Sequence, residues 1–350
     1  MDVYIAGVGM TPFGRFPELA VKDLARQAVD DALADARLDK PAVQAAFFAN
    51  TVMAYLEDQV FIPGPIALRS MGFAEIPILT IENACASGST ALWDAINFVR
   101  SGSGDVALAV GAEKMNVGDR QRQLSLFDSG WELAKAEENY AGLAAYGAGV
   151  DIPPGSESVD GRSRFMDVYA FYARRHMKEY GVTQRQIAAV SAKNHRHSVA
   201  NPRAFFRKPF STDDVLAAKP IVYPLTVPMC APVTDGGAAA VVCAGEALDR
   251  YGLDRSRAVK IEACVLVSGV DRDPDEAQKQ PTYLAAQRAY NIAGIGPADI
   301  DVAEVHDAAA IGEIRETENL GLCGFGDGAA LADSGATSIG GRIPVNPSGG

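Results

Sequence analysis

Ile76-Pro77-Ile78-Leu79-Thr80-Ile81-Glu82-Asn83-Ala84-Cys85-Ala86-Ser87-Gly88-Ser89-Thr90-Ala91-Leu92 is the stretch that decides how this chain is read. The apolar run 76–81 has the length and β-branched content of a short buried strand. The small residues after Cys85 open a helix-like stretch over 91–99. A thiol therefore stands at a strand-to-helix turn, at the N-terminal end of a helix. Unpaired backbone N–H groups and the positive end of the helix dipole favour a thiolate there. A thiolate attacks a carbonyl or thioester, whereas a neutral thiol barely does. The small residues are expected to let the helix approach the sheet closely. The competing reading is a structural cysteine, since free cysteine is among the most buried residue types.

Working outward, strand and helix signals alternate. Residues 2–8 read as a strand. Val21, Leu24, Ala25, Ala28, Val29, Ala32 and Leu33 keep the spacing of an amphipathic helix. Residues 43–52 read as a second strand, 66–71 as part of a short helix, 105–111 as a fourth strand and 238–243 as a fifth. Alternation of this kind implies an α/β layered domain. Between the fourth and fifth strands lies an insertion over about 116–235, with helical stretches at 165–180 and 183–200 and an exposed loop expected at 147–161. Long insertions of this kind carry binding surface. The pattern then restarts: strand 259–270, helix 281–293, strand 300–305, helix 311–322, strand 343–346. This repeats the element order of residues 2–84, so an internal duplication is expected. The domains expected are 1–245, holding the insertion, and 246–350. The second copy stops before its counterpart of Cys85, and the expectation is a C-terminally incomplete copy of a longer protein.

The chain has 350 residues, 48% of them hydrophobic, and a formal net charge of −12. That composition is globular, and the charge argues against nucleic acid as a partner. The N-terminus lacks the basic start of a signal peptide, and no apolar run is long enough to span a bilayer. Five cysteines without regular spacing fit neither a disulfide framework nor a zinc site. A reducing, cytoplasmic setting is expected.

His306 supplies a second chemical element, in Val305-His306-Asp307-Ala308-Ala309-Ala310. It follows an expected strand and precedes a helix, the address at which open α/β sheets place ligands. An imidazole there can donate a hydrogen bond to a thioester oxygen or a developing enolate, or move protons near neutral pH. The competing reading is a satisfied capping or core histidine. His195 and His197 resemble a metal pair, but residues two apart on a helix point away from each other, so no metal site is expected. His176 reads as a surface residue of an amphipathic helix. Cys230, Cys243, Cys264 and Cys323 read as packing residues, and Asp235-Gly236-Gly237 as a turn. Gly340-Gly341 and Gly349-Gly350 would let a ligand approach the backbone.

These segments resemble the thiolases, in the branch related to the thiolase domain of sterol carrier protein and its bacterial and archaeal relatives. The resemblance rests on Glu82-Asn83-Ala84-Cys85-Ala86-Ser87-Gly88, Lys193-Asn194-His195 with Asn201-Pro202, Asp235-Gly236-Gly237-Ala238-Ala239, Glu304-Val305-His306-Asp307, and Gly341-Arg342-Ile343-Pro344-Val345-Asn346-Pro347-Ser348-Gly349-Gly350. It implies a duplicated five-layered α-β-α-β-α fold with an inserted loop domain, a homodimer and a coenzyme A thioester as substrate, with no permanently bound cofactor. It implies that Cys85 is the acyl-accepting nucleophile and that His306 sits in an oxyanion hole for the thioester oxygen. It also implies a small OB-fold and zinc-ribbon subunit as a partner. The chain departs from the branch at Ala308-Ala309, where Cys-Phe is common, which suggests room for a bulky or aromatic acyl group. The family's Gly-His-Pro loop, whose histidine activates the nucleophile, and its second catalytic cysteine would lie beyond Gly350. The expected reaction is thiolysis of a 3-oxoacyl-CoA or the reverse Claisen condensation. The alternatives are an acyltransferase or retro-aldolase on another substrate, and a non-catalytic subunit of a complex.

Overall fold

The computed structural model describes residues 1–158, 161–273 and 276–350. In chain order the elements begin β1 (Val3–Met10), α1 (Val21–Ala36), β2 (Ala45–Ala49), α2 (Met53–Leu56), α3 (Pro63–Arg69), β3 (Ile78–Ile81), α4 (Ser87–Arg100), β4 (Val106–Glu113) and α5 (Arg120–Ser125). The middle of the chain carries α6 (Ala136–Tyr146), α7 (Arg164–Tyr180), α8 (Gln184–Ser198), α9 (Thr212–Ala217), β5 (Pro220–Val222) and β6 (Leu225–Thr226). Then come β7 (Gly236–Ala244), α10 (Gly245–Arg250), β8 (Val259–Lys260), α11 (Pro281–Ala293), α12 (Ala310–Asn319) and α13 (Gly328–Asp333). They gather into two compact units, Met1–Leu126 with Val233–Leu266, and Phe127–Pro232 with Val267–Gly350.

The first unit is built on a six-stranded sheet of order β3-β2-β4-β7-β1-β8. β3, β2 and β4 run parallel to one another, while β7 pairs antiparallel with β4 and β1. The apolar runs are continuous rather than alternating because both sheet faces are covered: all five residues of β2 are buried. α1 packs against β1, β7 and β4, and α4 against β4 and β2. The α1 approach depends on small residues on both sides. A Cβ at Gly9 would fall 2.1 Å from the Ala28 carbonyl oxygen, and the helix presents buried Ala25, Ala28, Ala32 and Ala36. Asp235, read from sequence as part of a turn, is instead a fully buried anchor. Its carboxylate accepts from the backbone N–H groups of Phe16 (2.9 Å), Met115 (2.9 Å) and Asn116 (2.8 Å), tying three segments together. Gly236 and Gly237 already belong to β7.

The second unit is largely helical. Its core joins α7, α8, α9, the β5–β6 hairpin and α12 through Ala170, Ile187, Val190, Val215, Leu225, Ile311 and Ile314. The helices expected at 165–180, 183–200, 281–293 and 311–322 are α7, α8, α11 and α12, each within a few residues. The loop expected at 147–161 holds no helix or strand over 147–158; residues 159 and 160 lie outside the described residues.

Three strands expected in the second copy do not form ladders. Only Val259–Lys260 of 259–270 pairs, against Tyr4 and Ile5 of β1, and the backbone leaves the sheet after Ile261 donates to Val3 O. Of 300–305 and 343–346, one parallel bridge remains, Ala303 to Val345. An extended apolar segment becomes a strand only where a neighbouring backbone offers its N–H and C=O groups. For 343–346 the further backbone partners are a loop, with Ile343 N and Val345 N donating to Ala336 O (3.0 Å) and Thr337 O (2.9 Å), and no ladder results.

Candidate functional site

Cys85 belongs to the first unit and His306 to the second. Cys85 follows β3 inside a single 3₁₀ turn, Ala84–Ala86, directly before α4. It is the exposed cysteine of the five; Cys243 is buried and Cys230, Cys264 and Cys323 are half-buried. The turn is sharp. Ala84 holds φ 47°, the left-handed region that a Cβ disfavours by about 1–2 kcal/mol. Side-chain hydroxyls hold it there. Ser87 Oγ donates to Ala84 O (2.7 Å) and accepts from Asn83 N (2.7 Å). Thr51 Oγ1 donates to Ala84 O (3.1 Å) and lies 2.9 Å from Ser87 Oγ. Glu82 Oε1 accepts from Ala84 N (2.7 Å).

Two details differ from the sequence reading. Desolvation by the surrounding protein raises the Cys85 thiol above its ordinary value, against a smaller pull downward from its own backbone N–H. Burial thus favours the neutral thiol, where the sequence reading expected a helix terminus to favour the thiolate. Further, a Cβ at Gly88 would meet nothing within 4 Å. The glycine is not needed for helix–sheet packing and leaves open space over the first turn of α4.

A second group converges beside Cys85 through the ends of β2 and β4. Glu113, the last residue of β4, accepts from Asn50 Nδ2 (2.7 Å), Thr51 N (2.9 Å) and Val52 N (3.1 Å). Burial pushes its carboxyl up to about 7, with Glu57 adding in the same direction and the Thr51 and Val52 amides opposing. The sequence offered no sign of Glu113, because its partners are some 60 residues away.

In the second unit His306 is exposed, on the irregular segment before α12. The residues around it are built on a buried polar network. Lys193, on α8, lies 2.9 Å from Glu313 Oε1 on α12 and donates to Val345 O at 2.6 Å. Asn194 Nδ2 donates to Asp307 Oδ2 and Glu313 Oε2, both at 2.9 Å. Asn346 Nδ2 donates to Glu313 Oε2 (3.1 Å), and its Oδ1 accepts from Val305 N (2.7 Å). Segments quoted in the sequence as separate motifs thus meet on one carboxylate, Glu313, which the sequence reading missed. Burial lowers Lys193 and raises Glu313, and their mutual attraction opposes both shifts. Asp307 is carried to about 7, first by burial and then by Glu313, against Lys193 and the Asn194 amide.

The remaining candidates separate as follows. His197 donates from Nδ1 to Asn346 O (2.9 Å) and accepts at Nε2 from Ile339 N (3.1 Å), which fixes it as a neutral tautomer. His195 turns elsewhere, donating to Pro228 O (3.3 Å) beside Phe206 and Phe210. Among the described residues no three His, Cys, Asp or Glu side chains are grouped to hold a metal ion. His176 is not a surface residue; it is buried, with Nε2 3.1 Å from Glu318 Oε2. Of the two small residues after Asp307, Ala309 is fully buried in the core and Ala308 is half-buried. Gly349 and Gly350 pack against Ser198 and against Asp307 with Asn194.

Two family models divide the chain between them: thiolase, N-terminal domain, over residues 3–223, and thiolase C-terminal domain-like, over residues 268–350. The chain belongs to the thiolase family. Among relatives of this thiolase-family chain, sterol carrier protein 2 of Rattus norvegicus is 33% identical over 99% of the chain and 61% of its own length. The chain thus spans about three-fifths of that relative. An acetyl-CoA acetyltransferase of Methanothermobacter thermautotrophicus is 33% identical over 100% of the chain and 85% of its own length. These relatives put the chain in the branch that includes sterol carrier protein 2. The solved Ltp2-ChsH2(DUF35) aldolase matches with TM-score 0.75 at 23% identity, covering 100% of this chain and 84% of its own, and shares the α/β thiolase fold. No helix among the described residues is long and apolar enough to cross a membrane.

Proposed function

We propose that this chain catalyses thiolase-type acyl transfer between coenzyme A thioesters, with Cys85 as the nucleophile. The observation that carries the reading is the placement of the exposed cysteine on a hydroxyl-braced turn between β3, a half-exposed edge strand rather than the buried one expected, and a helix N-terminus. In the degradative direction Cys85 Sγ adds to the C3 carbonyl of a 3-oxoacyl-CoA. The C2–C3 bond breaks, its electron pair forms the enolate of the departing thioester, and that enolate takes up a proton. Free coenzyme A then takes the acyl group from Cys85 and regenerates the thiol. His306 has the role of donating to the thioester oxygen as the enolate develops. Because the Cys85 thiol is raised, attack requires a base to remove its proton. The thiolase resemblance gives that work to the histidine of a Gly-His-Pro loop, a tripeptide that these 350 residues do not contain.

The open space at Gly88 suits the approach of a thioester to Cys85. The half-buried Ala308 next to Asp307 suits a bulky acyl group; the buried Ala309 adds nothing to that argument. β3 is an edge strand with exposed Leu79, and pairing of such edges between two copies supports the homodimer reading. The partner subunit and a cytoplasmic setting belong to the same proposal.

The test is cleavage of a panel of 3-oxoacyl-CoA thioesters in the presence of coenzyme A, aliphatic and aromatic members included. The reading expects release of a shortened acyl-CoA that disappears in Cys85→Ser. Cleavage that survives Cys85→Ser would overturn the nucleophile assignment. Cleavage only after addition of a second subunit would assign the activity to a complex.

A further inference from the structure

We propose that Glu113 is a positioning residue for Cys85, acting through Thr51. The proposal rests on the reading of Cys85 as the acyl-accepting nucleophile.

The geometry is a chain of contacts across three neighbouring parallel strands. β4, β2 and β3 lie side by side and run in the same direction, so their carboxyl ends emerge at one edge of the sheet. The end of β4 is Glu113. The end of β2 leads into Asn50-Thr51-Val52. The end of β3 leads into the Cys85 turn. Glu113 reaches sideways and takes one N–H from each of those three residues after β2. The segment is thereby fixed by a carboxylate rather than by a strand ladder. Thr51 then reaches sideways in turn, with its hydroxyl on Ala84 O and 2.9 Å from Ser87 Oγ. Ala84 is the left-handed residue next to Cys85. A strained turn keeps its shape only while its surroundings over-determine it, and Thr51 is one of the two hydroxyls that do so.

Each link has the right polarity. Three N–H donors converge on Glu113, so the ionised form satisfies all of them. A proton on either oxygen would put a donor against donors and release part of the 50–52 segment. The charged groups around Glu113 are few. Glu57, after α2, repels it. Lys114, next in the chain, is engaged by Pro17 O and Leu19 O. Asp235, at the start of β7, is engaged by backbone amides. Glu82, on the Cys85 turn itself, accepts from Ala84 N. Burial raises Glu113 and no cation neutralises it directly among the described contacts, so its state responds to pH near neutrality.

The experiment measures the rate of acyl transfer from acetyl-, octanoyl- and benzoyl-CoA to Cys85 by peptide mass spectrometry. Alkylation of Cys85 and of Cys264 by iodoacetamide serves as the reference for exposure and folding. Glu113→Gln and Thr51→Val should each slow acylation by roughly tenfold to a hundredfold, the scale of a small misplacement of a reacting atom. Alkylation, which needs only an exposed sulfur, should change by less than about threefold under the same principle. Thr51→Ser should recover most of the rate, and the double variant should be no slower than the slower single one, as expected for residues acting in series. The wild-type rate should fall on the acid side of neutrality through an inflection that Glu113→Gln lacks. Wild-type acylation with an unchanged rate in Glu113→Gln, or additive losses in the double variant, would overturn the positioning role alone. Absence of acylation in the wild type even at alkaline pH, where hydroxide removes the thiol proton without a side-chain base, would remove the nucleophile reading beneath it. If Glu113→Gln fails to fold, the Thr51→Val and Thr51→Ser pair decides the question.

Discussion

The two units brace their candidate residues in opposite ways. In the first, the Cys85 turn hangs from a sheet covered on both faces, and neutral hydroxyls with backbone carbonyls do the local bracing. In the second, the segment carrying His306 has a single bridge in place of a ladder, and a buried lysine–glutamate pair holds it between α8 and α12. A sheet supplies position through many cooperative backbone bonds. A buried ion pair supplies it through a few strong ones, at a large desolvation cost. In the first arrangement the loss of one side chain near the turn leaves the sheet beneath it intact and is felt at the turn alone. In the second, loss of one partner of the pair leaves a buried charge that the whole α8–α12 contact must absorb.

The sharpest way to break this contrast is Lys193→Met. It leaves Glu313 buried without its cation and should cost about 3–5 kcal/mol. Hydrogen exchange should show protection lost over α8 and α12 and retained over β4 and β7. Equal loss in both units would mean that the ion pair is not a local brace. The counterpart in the first unit is Leu108→Ala, which removes a fully buried side chain from β4. It should cost about 2–5 kcal/mol through the cavity left behind, with exchange rising over β4 and β7 in place of α8 and α12.

A smaller effect is expected from Asp235→Asn. The amide keeps the shape but has one acceptor oxygen, so its NH2 faces either the Phe16 N–H or the Met115 and Asn116 N–H groups as a donor against donors. Loss of about 1.5–3 kcal/mol is expected, read as a lower urea midpoint. A variant as stable as wild type would reduce Asp235 to a space-filling residue.

In pH dependence the two units are alike, since each holds one carboxyl raised to about 7, Glu113 in the first and Asp307 in the second. Asp307 has a folded value of about 7 against an ordinary 3.8. Its contribution to stability is therefore whole below that ordinary value and is lost as the pH rises through about 7. Asp307→Asn should flatten the second unit's loss of urea resistance between pH 5 and pH 8. An unchanged slope in that variant would show that Asp307 titrates near its ordinary value.

The smallest stability effect belongs to Gly88→Ala. The site is open, and alanine favours helix by up to about 1 kcal/mol, so the melting temperature should hold or rise slightly. Acyl transfer to Cys85 should nevertheless fall, because the added methyl intrudes on the space over the α4 terminus. Undiminished transfer would mean that the thioester approaches from another side.

What the sequence disclosed follows the same division. The strands of the first unit were legible because each is an apolar run bounded by turn residues and paired on the sheet, and α1 because its small and apolar positions keep helical spacing. The strands expected at 259–270 and 300–305 carry the same apolar signal. Strand formation depends on a neighbour, and composition does not report one. Cys85 and His306 were singled out from their local settings, and the structure places each in an exposed position, on a turn and on an irregular segment. Glu113, Asp235 and Glu313 were not, since each owes its importance to donors far away along the chain. His176 was misread for the same reason: its partner Glu318 is 142 residues further on.

The account turns on the chemistry of one sulfur. Incubating the chain with a mixture of acyl-CoA thioesters, then locating any added acyl group by peptide mass spectrometry, tests it most directly. The result expected is a thioester on Cys85, formed faster as the pH rises beyond the ordinary range of a cysteine thiol and absent in Cys85→Ser. An acyl group found on another cysteine, or Cys85 left unmodified while wild-type protein consumes the thioesters, would contradict it.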